Sequence, residues 1–127
     1  MGVIFMSIEI IGLDHIQICI PIGEEATARH FYLDLLHFTE IEKPENLKQN
    51  GGFWCRAGTI AVHIGVEKTE KSKSKRHPAF IVSDIQATRR YLEENDIPIK
   101  EETPIPGVSR FSCFDPFLNR IEFLEYI

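Results

Sequence analysis

Cysteine is scarce in this chain: three residues in 127, Cys19, Cys55 and Cys113, widely separated and with no Cys-x-x-Cys pair. That excludes a disulfide scaffold and offers no thiolate metal site or redox motif, so each thiol is expected as a small buried apolar residue. Positive charge is also in deficit. Fourteen Lys and Arg against nineteen Asp and Glu leave a formal charge of -5, which repels phosphate backbones and anionic lipid, so neither nucleic acid nor a membrane is an expected partner. Long hydrophobic runs are missing. The apolar stretch Met1 to Met6 has no basic flank and is too short for a signal peptide or a span. Gly2 is followed at position 6 by Met, where a myristoylation motif requires Ser or Thr. A cytoplasmic location is the expectation. What is present is ordinary: 43% hydrophobic and 26% charged residues, 8 Gly and 7 Pro, the composition of a globular protein and the length of one domain.

An internal repeat organises the chain. Leu13 to Pro21 alternates apolar and polar residues and ends on proline, as a half-buried strand does, and His77 to Val82 opens the second half in the same way. Each strand begins with a histidine, His15 and His77. A short amphipathic helix is expected after each. The first runs from Glu24 to His37, with Ala28, Phe31, Tyr32 and Leu35 on one stripe; the second runs from Ile85 to Asn95 behind a Ser83-Asp84 cap. Pro44, Gly51-Gly52, Pro98 and Pro106-Gly107 then punctuate short strands. The order β-α-β-β-β recurs, giving module 1 over about 10–67, a basic, solvated connector over 68–76 (Lys68, Lys71, Lys73, Lys75 and Arg76), and module 2 over 77–127. The offsets are 62 for His15 to His77, 58 for Phe53 to Phe111, and 59 for His63 to Glu122. The expected fold class is α+β: two βαβββ modules, with the helices on the apolar face of the strands.

Alternation along the strands sorts their side chains. His15 shares a face with Gln17 and Cys19, His63 with Ala61 and Gly65, His77 with Ala79 and Ile81, and Glu122 with Arg120 and Leu124. The opposite faces carry Ile16, Ile18, Ile20, Val62, Ile64, Phe80, Val82, Ile121 and Phe123, the surface on which amphipathic helices pack. A lone strand histidine is more often a hydrogen-bonded structural residue than a ligand. Four such residues at repeat-equivalent positions on one inferred face favour a metal instead. Imidazole and carboxylate without thiolate suit Zn, Ni, Co, Mn or Fe(II). Four protein ligands on a tetrahedral zinc would leave no open position, so catalysis needs a released ligand or a five- or six-coordinate ion.

Asp14-His15-Ile16-Gln17-Ile18, Ala28-Arg29-His30-Phe31-Tyr32-Leu33-Asp34-Leu35-Leu36, His77-Pro78-Ala79-Phe80 and Asp115-Pro116-Phe117-Leu118-Asn119-Arg120-Ile121-Glu122-Phe123 together resemble the vicinal oxygen chelate superfamily. That group comprises glyoxalase I, bleomycin-resistance proteins, fosfomycin-resistance thiol transferases and extradiol dioxygenases. The resemblance runs from about Ile10 to the C-terminus. It implies paired βαβββ modules forming a curled mixed sheet, a cup with the helices on its convex face, and a divalent metal held by the first and last strands of each module at positions that fall on His15, His63, His77 and Glu122. Members with three ligands would keep His15, His77 and Glu122. It also implies a homodimer, since such chains commonly pair modules across two subunits. The chain departs from glyoxalase I in carrying His63 where that enzyme has a carboxylate, which leaves Glu122 as the remaining proton-moving carboxylate. It departs again at Leu118, where glycine is usual, so that Asn119 is expected to supply any left-handed residue of that turn.

These residues point to a metal-dependent enzyme of glyoxalase type, performing lyase or isomerase chemistry on a small oxygen-rich substrate, with Glu122 moving the proton. Gln17, Trp54, Arg56 and Arg110 are the candidate substrate-binding residues. The arginines would orient an anionic group, set against a surface or salt-bridged role for each. Trp54, Phe53, Phe111 and Phe114 would wall the pocket or fill the core. A metal-free ligand-sequestering protein of the bleomycin-resistance type is the alternative, and an Fe(II) extradiol dioxygenase on His15, His77 and Glu122 a second.

Overall fold

A computed structural model describes residues 7–68 and 73–127. Met1 to Met6 and the part of the basic connector at 69–72 lie outside the described residues, and with them the readings of Gly2 and Lys71. The element order is β1 (His15–Pro21), α1 (Glu25–Arg29) continuing as a π-helical segment (His30–Leu35), β2 (Thr39–Ile41), a 3-10 turn (Glu45–Asn50), β3 (Phe53–Ala57), β4 (Ile60–Glu67), β5 (Ala79–Ile81), α2 (Ile85–Glu94), β6 (Ile99–Glu101), β7 (Val108–Phe114) and β8 (Arg120–Tyr126). Strand pairing gives two separate four-stranded sheets, β1-β4-β3-β2 and β5-β8-β7-β6. The expected α+β fold of two βαβββ modules is borne out, with each module forming a mixed sheet of its own. In both sheets the first strand runs parallel to the last and the other pairs are antiparallel.

Period-2 alternation places the core. Ile18, Ile20, Val62, Ile64, Ile121 and Phe123 are buried with Ala28, Phe31 and Tyr32 of the first helix and Ile85 and Leu92 of α2, while Asp84 caps α2 by accepting the Ala87 N–H at 3.0 Å. The repeat extends to the packing of charge on the core. Arg29 lies 4.5 Å over the Phe53 ring and pairs with Glu40; Arg89 lies 4.8 Å over Phe111 and pairs with Glu101. Gly52 lets β3 start against β4. It has φ +77, and a Cβ there would sit 2.0 Å from the Ile64 carbonyl oxygen, so no side chain fits.

Two sequence expectations are corrected. The helix expected from Glu24 to His37 is α-helical only to Arg29 and then widens, with the Leu36 N–H reaching the Phe31 carbonyl at 2.9 Å, five residues back. Phe31 and Tyr32, in the widened turn, are both buried in the core. The left-handed residue of the turn before β8 is Leu118, at φ 70, and not Asn119. Asp115 imposes this conformation: its Oδ1 accepts the N–H groups of Phe117 and Asn119 at 2.9 and 2.8 Å, and its backbone carbonyl accepts that of Leu118 at 3.1 Å. Asn119 is committed elsewhere. Its side-chain amide donates to Asp115 Oδ2 and, across the module boundary, to the Cys19 carbonyl.

Candidate functional site

The two modules place their donors in the same register. In module 1, Gln17 pairs with His63, so the buried donor lies opposite the residue two beyond His15. In module 2, Ala79 pairs with Glu122, again two beyond His77. On the other side, His63 pairs with Trp54 and Glu122 with Ser112. Each module therefore holds one accessible histidine, His15 at the start of β1 and His77 two residues before β5 rather than at its start, and one buried donor on its last strand, His63 at 9% and Glu122 at 4% exposure.

The His15 and His63 rings stack at 4.0 Å between centroids, and His63 is covered on its other face by Trp54 at 3.8 Å, with ring planes 2° apart. In the second module, His77 Nε2 lies 3.0 Å from Glu122 Oε1. His15 and His77 are oriented alike through Nδ1, which faces Asp14 Oδ2 at 2.7 Å in one and the Lys75 carbonyl at 2.7 Å in the other. A ring nitrogen tied back in this way leaves Nε2 as the atom available for ligation, and in His77 that nitrogen faces Glu122 Oε1. Burial, and then the neighbouring His15, hold the His63 imidazolium below the usual histidine range, so His63 is a neutral imidazole at pH 7, the form that binds metals. In a proton NMR titration of the histidine rings, His63 is expected to titrate below about 6.5. Because its folded pKa is depressed, it destabilises the fold as pH falls through and below that value, and His63→Gln should flatten this slope in urea melts at pH 5 to 7.

Among the described residues no three His, Cys, Asp or Glu lie close enough to share a metal. Within one chain the four predicted ligands form two pairs, one per sheet. The donor set itself fits a borderline divalent ion: three imidazoles, two of them with Nδ1 tied back, and one carboxylate, with no thiolate. Both core cysteines are unsuited to ligation or attack, since burial pushes the thiols of Cys55 and Cys113 up to about 12.

Of the candidate substrate-binding residues, Trp54 is half-buried against His63, and Gln17 lies exposed with its side chain packed over Gly65. Arg56 pairs with Ala61 on the same face as Trp54 and is exposed. Arg110 is turned inward, donating to the Thr103 carbonyl and to Glu122. Phe53 and Phe111 are core. Sequence reasoning passed over Glu102 and Arg120 as a pair on the second sheet. Arg120 donates to Glu102 at 2.6 Å and to the Ser112 hydroxyl at 3.3 Å. Burial pushes the Glu102 carboxyl up, but bonds from Ser112 and Lys100 and the nearby Arg120 charge more than offset it and hold it ionised. Glu101-Glu102 reads along the chain as a solvated acidic pair, and only the shared face of Ser112 and Glu122 hints otherwise.

Among the described residues no helix is long and apolar enough to cross a membrane. No curated protein sequence matches the chain. Among solved structures, a protein described as of the glyoxalase family from Bacillus anthracis shares 41% identity over 96% of this chain and 100% of its own, with a TM-score of 0.89. The fosfomycin resistance protein FosX from Listeria monocytogenes shares the fold at 16% identity, TM-score 0.73, over 91% of each chain. A mutant of FosX solved with Mn(II) and 1S,2S-dihydroxypropylphosphonic acid gives a TM-score of 0.75, again at 16% identity, over 94% of this chain and 95% of its own. The family model for the Glyoxalase/Bleomycin resistance protein/Dioxygenase superfamily matches residues 12–123. With this match and the paired βαβββ sheets, the chain belongs to that superfamily.

Proposed function

We propose that the protein is a metal-dependent glyoxalase-type enzyme, performing lyase or isomerase chemistry on a small oxygen-rich substrate. Its centre forms between two copies of the chain, with His15 and His63 from one subunit and His77 and Glu122 from the other. The observation that carries this reading is the identical register of the two half-sites, each too small to hold an ion alone. FosX, which shares the fold, was solved with Mn(II). Ile10, Ile11 and Leu13 stand exposed just before β1, and β1 has a strand neighbour on one side only, so a second copy has apolar surface and a free edge to cover. A cytoplasmic homodimer is the assembly proposed.

A divalent ion such as Ni, Co, Zn, Mn or Fe(II), when bound, supplies a fixed positive charge that polarises substrate oxygens. The chain supplies the rest. Glu122 is assigned the proton transfer, at Oε1, the oxygen that Arg110 does not hold, at the stage when that oxygen is not on the ion. Trp54 offers a flat apolar wall over His63, Gln17 a carboxamide at the rim, and Arg56 a guanidinium for an anionic substituent. The test is metal content of untagged protein by elemental mass spectrometry, with mass in solution by light scattering. Wild type is expected to be a dimer with near-stoichiometric metal, and His63→Ala and Glu122→Ala to fall to background. A wild type that stays empty after incubation with all five ions overturns the reading.

A further inference from the structure

Arg110 lies on β7 two residues before Ser112, the partner of Glu122 across the strands, and so on the same face as that carboxylate. Its guanidinium is fixed at three points. Nε and one terminal nitrogen donate to the Thr103 carbonyl at 3.1 and 2.7 Å, and the other terminal nitrogen donates to Glu122 Oε2 at 3.3 Å. Both side chains are shielded, Arg110 at 15% and Glu122 at 6% exposure. The other carboxylate oxygen, Oε1, faces His77 Nε2. The two oxygens of Glu122 therefore have different partners: one is held by a cation that cannot deprotonate, the other points to the half-site.

We infer that Arg110 is a positioning residue that keeps Glu122 a one-oxygen ligand, holding Oε2 back so that only Oε1 is offered to the ion. This rests on the metal reading above. A lysine cannot replace it, because a single ammonium lacks the fork that grips the Thr103 carbonyl and Glu122 together. Without the fork, Glu122 is free to turn or to offer both oxygens.

The experiment is Co(II) titration of the metal-stripped full-length protein, following affinity by calorimetry and the ligand field by visible absorption. Wild type, Arg110→Gln, Arg110→Lys and, as a control, the exposed α2 variant Arg90→Gln are compared. Both Arg110 variants are expected to bind Co(II) about tenfold or more weakly and with an altered visible spectrum, while Arg90→Gln matches wild type. Wild-type affinity in a folded Arg110 variant overturns the inference, as does weakened binding with an unchanged spectrum, which would assign Arg110 a structural role. If Arg110→Gln does not fold, Arg110→Lys decides alone. A wild type that binds no Co(II) overturns the metal reading and this inference together, so the two failures are distinguishable.

Discussion

Asp115→Ala is expected to lower the unfolding free energy by about 4 kcal/mol, because it removes a buried carboxylate that accepts from four donors. Asp115 is 3% exposed. Its oxygens accept from the Tyr32 hydroxyl at 2.6 Å, the Asn119 side-chain amide at 2.8 Å, and the backbone N–H groups of Phe117 and Asn119. Burial first, and then Asp115 itself, push the Tyr32 phenol well above its usual range, so it stays a donor at any working pH. This cluster joins the helix of module 1 to the turn that aims β8, and Asn119 extends it to β1 through the Cys19 carbonyl. A chain of this size should melt about 15 °C lower by circular dichroism. Tyr32→Phe, which strands one acceptor site and leaves the rest, should cost about 1–2 kcal/mol. A loss below about 1 kcal/mol for Asp115→Ala would show that the turn is set by other contacts.

Mixing two dead variants is expected to restore metal binding. His63→Ala spoils the half-site on the first sheet and Glu122→Ala the half-site on the second. When each ion is held between two subunits, a mixed dimer has one site with both defects and one with neither. Random exchange after gentle unfolding and refolding should then recover about a quarter of the wild-type sites. A site completed within one chain recovers none, since every chain carries a defect. Metal content of the mixture, measured against each variant refolded alone, separates the two. Recovery near zero from a mixture shown by mass to contain mixed dimers would assign the centre to a single chain.

Much of this was legible along the chain because strand faces are a local property. The period of 2 is set by backbone geometry, so the facing of His15, Gln17, His63 and Glu122 follows from position alone, and the repeat aligns one half with the other. The widened turn after Arg29 was not legible, because Ala28, Phe31, Tyr32 and Leu35 keep the ordinary 3.6-residue spacing and nothing in that pattern marks a hydrogen bond reaching five residues back. Leu118 was misread for the same kind of reason. Intrinsic preference assigns a left-handed residue to asparagine, but the Asp115 cage fixes which peptide groups turn inward, and that outweighs the cost of a leucine at φ 70. Glu102 and Arg110 look like surface charges until β6, β7 and β8 lie side by side.

The repeated βαβββ order, the apolar and polar faces of each strand and the equivalence of two histidine-led modules all depend on spacing along one chain, and so could be read from it. The separation of the sheets and the standing of the four predicted ligands as two pairs emerge only when the chain is folded. So does the grip of Arg110 on one oxygen of Glu122. Those outcomes depend on distances between segments far apart in the chain, which are set by how the common core packs.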